Sequence, residues 1–145
     1  MSPSADPAAP GLEFVATVVI PALERPVGSG KSARGTRQLI AFPGGTVSGP
    51  ALAGRVLPGG ADSQLIRADG VAEIDARYVV ETDSGARVFV HNTGLARGGP
   101  AGLYFRTSPT FETDSPELQW LMQHVFVGTG AVAGKGVELH WWKVT

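Results

Sequence analysis

Cysteine is absent from the 145 residues. Its absence excludes disulfides, thiolate nucleophiles and thiolate-bound zinc, and it fits a reducing compartment. Charge is also sparse: Asp, Glu, Lys and Arg make up 17% of the chain, and the formal net charge is −1. A chain so balanced lacks the long-range attraction that phosphate backbones need, so nucleic acid is not an expected partner. No apolar run approaches the length that crosses a bilayer, so no membrane is expected either. The opening "MSPSADPAAPG" has no basic segment followed by an apolar one, and therefore does not read as a secretory signal. With Pro3, Pro7 and Pro10, residues 1–10 read as a disordered lead-in to a single domain over residues 11–145, in the cytoplasm.

What the chain has in quantity is glycine and proline, 20 and 11 residues, between short stretches rich in Val, Ile, Phe and Tyr. That is the pattern of many strands joined by turns. "LEFVATVVI" is the first strand, and "RPVGSGKSARG" reads as a flexible connection. Asp83-Ser84-Gly85 is a hairpin turn between "VAEIDARYVVET" and "ARVFVHNTG". "LYFRTSPTFET" is a strand whose Pro109 suits an edge or a bulge. Helical character is confined to "SPELQWLMQHV", with Ser115 as cap and Pro116 in the first helical position. These elements predict an all-β fold, a single small antiparallel β-barrel of calycin-like form with one short helix near residues 116–123 and a small interior cavity.

Several motifs can be set aside. "GSGKS" (Gly28 to Ser32) lacks the upstream glycine of the phosphate-binding loop, where Arg25 stands, and no long helix follows it. The three histidines, His91, His124 and His140, form no helical metal-binding pair. No Gly-x-Ser-x-Gly elbow is present to place a nucleophilic serine. No metal and no cofactor is expected.

Carboxylates are the better material. Asp62 follows a double glycine, where backbone can approach a ligand. Asp75 lies mid-strand, a poor position for Asp unless something holds it there. Glu73, Asp75 and Arg77 fall on one parity, and Ile74, Ala76 and Tyr78 on the other. If the charged parity faces the interior, its members need partners, and Arg106 in "YFRT" is the natural counter-charge. If it faces outward, it is a ladder of surface charge pairs, each worth less than about 1 kcal/mol. A desolvated Asp would exchange protons near neutrality, with Tyr78 or Tyr104 donating to an oxyanion.

From Gly35 onward the chain resembles the bacterial and fungal family known as domain of unknown function 3237, or uncharacterised protein family 0311. The resemblance is carried by "GTRQLIAFPGGTVSGPALAGRVLPGGADSQLIRADGVAEIDARY", "YFRTSPTFET", "WLMQHVFVGTG" and the closing "VELHWWKV". It implies a small antiparallel barrel and supplies no activity.

Asp62, Asp75, Arg106 and Tyr78 are therefore the candidate catalytic residues, and Gln64, Tyr104, His91, Glu112 and Trp120 the candidate ligand contacts. The tryptophans read first as packing, His91 as a rim hydrogen bond. The expected function is cofactor-independent acid–base chemistry (isomerase, lyase or cyclase) on an apolar, carbonyl-bearing metabolite. The alternatives are a non-catalytic ligand-binding module in the same cavity, and a homo-oligomerising subunit.

Overall fold

A computed structural model describes residues 5–145. Eleven strands follow one another: β1 (Leu12–Ile20), β2 (Val27–Ser32), β3 (Gly35–Phe42), β4 (Gly45–Ser48), β5 (Gly54–Val56), β6 (Gly60–Ile66), β7 (Ala72–Thr82), β8 (Arg87–Arg97), β9 (Tyr104–Glu112), β10 (Phe126–Ala133) and β11 (Gly136–Val144). A 3-10 helix, Pro116–Met122, lies between β9 and β10. Ser115 precedes it but makes no side-chain cap.

The chain closes as an eight-strand antiparallel barrel in the order β7-β5-β4-β1-β11-β10-β9-β8, with β8 returning to β7. The three further strands follow from two breaks. Pro43-Gly44 divides β3 from β4, and Pro58-Gly59 divides β5 from β6, with Gly59 at φ 108. Such breaks suit proline, which lacks an N–H, and glycine, which tolerates positive φ. Consequently β7 meets two partners along one edge. Its second half pairs with β5 (Val56↔Val80) and its first half with β6 (Asp62↔Ala76). β3 then pairs with β6, and β2 with β3. The segment expected to be a flexible connection thus contains the fully exposed strand β2, because a hairpin with β3 pairs one edge of its backbone without burying a side chain, and the other edge is the end of the sheet.

The two ends of the interior differ. Phe111 meets Phe126 and Trp141 edge to face, at 5.0 and 5.2 Å between ring centroids, and Leu121 from the 3-10 helix joins this packed core. Where β3 and β6 replace β4 and β5 as wall, the interior is hollow. Pro109 sits on β9 where the β10 side carries no ladder pair, a place that needs no N–H.

Candidate functional site

The hollow is a cavity of about 260 Å³. β3 contributes Ile40 and Phe42, β6 Asp62 and Gln64, and β7 Ile74, Ala76 and Tyr78. Asn92, Phe105, Thr107 and Leu139 continue the wall around β8, β9 and β11. Leu103 and Val132, both exposed hydrophobics, also line it and leave the mouth apolar.

Register accounts for the polar groups. Asp62, Ala76 and Asn92 stand in one row across β6, β7 and β8. Their Cα atoms at the two ends are therefore about 10 Å apart, two strand spacings. The small side chain of Ala76 leaves space between the carboxyl and the carboxamide. Gly60 plays the matching part for Tyr78, since a Cβ there would collide with the Tyr78 Cβ and with the Arg77 carbonyl.

Asp62 is 7% exposed. Burial pushes its carboxyl up from 3.8 to about 6, and the Asp75 charge adds to the rise. Opposing these are the backbone N–H of Asp75, which donates to Asp62 Oδ1 at 2.8 Å, and the charge of Arg37. The carboxylate has entered the sheet itself. β6 and β7 are in phase at Asp62↔Ala76 and again at Leu65↔Glu73, yet Ser63 and Gln64 between them have no ladder pair on β7. Asp62 takes the Asp75 amide there, and Arg37 Nη1 donates to the Ser63 carbonyl at 2.9 Å.

Three other polar atoms on the cavity-lining residues are buried without a hydrogen-bond partner among the described residues: Tyr78 Oη, Asn92 Oδ1 and Thr107 Oγ1. Burial raises the Tyr78 hydroxyl far above its ordinary range, so it remains a neutral donor. Leaving such groups unpaired costs about 1–3 kcal/mol each. None of the three presents accessible surface to the cavity as the side chains stand; Thr107 Oγ1, for one, packs over Gly128. Gln64 is partly committed, its Oε1 accepting from Gln38 Nε2 at 2.7 Å.

Of the residues singled out from sequence, Asp62, Tyr78 and Gln64 meet in this cavity. The others lie outside it. Strict alternation on β9 turns Phe105, Thr107, Pro109 and Phe111 inward, so Tyr104, Arg106 and Glu112 face out. Arg106 is therefore not the inward counter-charge expected of it: its guanidinium lies 5.4 Å from the centre of the Tyr104 ring, on the outer wall. The Glu73, Asp75, Arg77 parity of β7 also faces outward, while Ile74, Ala76, Tyr78 and Val80 are buried. Asp75 there accepts from His91 Nε2 at 2.7 Å, and Arg77 Nε stands 3.6 Å from it. Trp120 packs against Phe126 at the helix, at 6.0 Å between ring centroids. Asn92 and Thr107 were missed, although each is a polar residue on an otherwise apolar parity, after Val88 and Val90 and between Phe105 and Phe111.

Fold and site together define an antiparallel β-barrel whose apolar cavity holds one buried carboxyl group. The chain belongs to the family described as "Protein of unknown function (DUF3237)", whose model matches residues 10–144. A UPF0311 protein of Rhodopseudomonas palustris is 43% identical over 117 residues, covering 71% of this chain and 76% of that one. A second, from Clostridium acetobutylicum, is 41% identical over 125 residues, 77% of this chain and 79% of the relative. The crystal structure of a beta-barrel like protein from Acinetobacter baumannii is similar at a TM-score of 0.89 and 33% identity, over 98% of this chain and 100% of that one. A protein described as an enzyme from Penicillium herquei shares the fold at a TM-score of 0.81 and 24% identity, over 98% and 99% of the two chains. No helix among the described residues is long and apolar enough to cross a membrane.

Proposed function

We propose that the barrel is a cofactor-independent acid–base enzyme, of isomerase, lyase or cyclase type, acting on an apolar carbonyl-bearing metabolite. The observation that carries this reading is Asp62: a carboxyl group inside an apolar cavity, poised to gain or lose a proton at about pH 6. A group so tuned is efficient both as base and as acid near neutrality. Asp62 removes a proton beside the substrate carbonyl and returns it at another atom. As negative charge develops on that oxygen, small side-chain rotations bring the neutral hydroxyls of Tyr78 and Thr107, which have no hydrogen-bond partner among the described residues, into donating range. Asn92 holds a second polar atom of the substrate across the row from Asp62. The Penicillium herquei protein, described as an enzyme on the same fold, supports catalysis as the use of such a barrel.

The test uses proton exchange, which requires no knowledge of the product. Apolar ketones incubated with the protein in deuterium oxide should take up deuterium beside the carbonyl, followed by NMR. Ala76→Leu fills the space between Asp62 and Asn92, and should abolish exchange while leaving the melting temperature within a few degrees, since the added methyls enter a hollow. Exchange unaffected by Ala76→Leu would place the chemistry elsewhere. Ketones that bind without exchanging would make the cavity a carrier site.

A further inference from the structure

We infer that Asp75, which does not touch the cavity, is a positioning residue for Asp62, its backbone N–H fixing one carboxylate oxygen while its own charge biases the buried group from the outer wall. The proposal rests on the reading of Asp62 as proton carrier only for its effect on rate.

The geometry is that of one residue facing two ways. The Asp75 N–H points to β6, where the ladder is open, and donates to Asp62 Oδ1 at 2.8 Å. The Asp75 side chain points to solvent and accepts from His91 Nε2 on β8 at 2.7 Å, with Arg77 Nε at 3.6 Å. On its other edge Asp75 is paired with Thr93 of β8. A strand gap is thus held open by side chains from three strands: Arg37 on the Ser63 carbonyl, Asp62 on the Asp75 amide, and His91 on the Asp75 carboxylate.

The consequence is electrostatic. The Asp75 charge opposes ionisation of Asp62, whereas its amide favours ionisation. The other groups around Asp62 are Arg37 from β3, whose charge favours ionisation, the neutral Tyr78 hydroxyl on β7, and the uncharged Asn92 on β8. Substituting the side chain at position 75 removes the charge and leaves the amide, so the two effects separate. Sequence-level reasoning treats a mid-strand Asp as either a site residue or a surface charge; here the outward side chain acts through its own backbone.

The experiment is an NMR titration of wild type, Asp75→Asn, Asp75→Ser, Asp75→Glu and Glu73→Gln. It follows the Asp62 side-chain carbon and the backbone amide at position 75, which senses the same carboxylate. Both signals should titrate together in wild type. In Asp75→Asn and Asp75→Ser the common midpoint should fall by about half a pH unit or more, as expected on losing a nearby like charge. Asp75→Glu should restore most of it. Glu73→Gln, which removes an outer-face charge whose amide is not bonded to Asp62, should leave the midpoint in place. An unchanged midpoint in both uncharged variants overturns the proposal, as does an amide at position 75 that does not follow Asp62. The outcome is independent of turnover: a shifted midpoint with Asp62→Asn still active would sink the catalytic reading and leave this one standing. The reverse pattern would do the opposite.

Discussion

Asp62→Asn is expected to lose about 10²–10⁴-fold in turnover, the usual contribution of a positioned acid–base group, and to gain stability at neutral pH. The gain follows from linkage. The folded carboxyl titrates at about 6 and the ordinary one at 3.8. Between those values the folded chain holds more protons than the unfolded chain. Stability therefore falls as pH rises through this window, and is lowest above it. A difference of this size corresponds to about 3 kcal/mol. Asparagine keeps an oxygen for the Asp75 amide and carries no charge, so it escapes the penalty. Melting curves of wild type and variant should nearly coincide at pH 4 and separate by about 6–12 °C at pH 8, the variant melting higher. Equal curves at both pH values would show that Asp62 is not held out of water. Stability lost to a buried charge is the trade that the proposed catalytic role of Asp62 predicts.

Trp141→Ala should have the largest effect on folding, about 3–5 kcal/mol of destabilisation. Trp141 has no exposed surface, and its ring meets Phe111 edge to face in the cluster that seals the packed end of the barrel. Its Nε1 has no hydrogen-bond partner among the described residues, so Trp141→Phe removes an unpaired N–H together with part of the ring and should cost much less. Urea unfolding followed by circular dichroism distinguishes the pair. A small loss in Trp141→Ala would mean that the packed end carries little of the stability. The contrast with Ala76→Leu is instructive, because one substitution empties a full region and the other fills an empty one.

The fold was legible because glycine, proline and alternation mark strands directly. The hairpin at Asp83-Ser84-Gly85 and the short helix at Pro116 stand where local chemistry puts them. β2 was not legible, since "VGSGKS" has the composition of a linker and is a strand only because β3 lies beside it. The cavity lining was legible at Asp62 and Tyr78, whereas Arg106, expected to turn inward as a counter-charge, stands on the exposed parity of its strand. Parity on β9 was available as a guide: Phe105 and Phe111 are apolar on one side, and Arg106 and Glu112 are charged on the other. The same rule, applied to β8 and β9, would have found Asn92 and Thr107, polar residues on the buried parity. Beyond reach of any local pattern is the open ladder at Ser63. It depends on three strands meeting in register, and it alone explains how an outward Asp75 reaches an inward Asp62.

The central claim is that Asp62 is a buried carboxyl tuned to exchange protons near neutrality. The most direct measurement is the titration of its side-chain carboxyl carbon by NMR in the unliganded protein. A midpoint near pH 6 that disappears in Asp62→Asn is the expected result. A midpoint at or below the ordinary aspartate value of 3.8 would contradict the account.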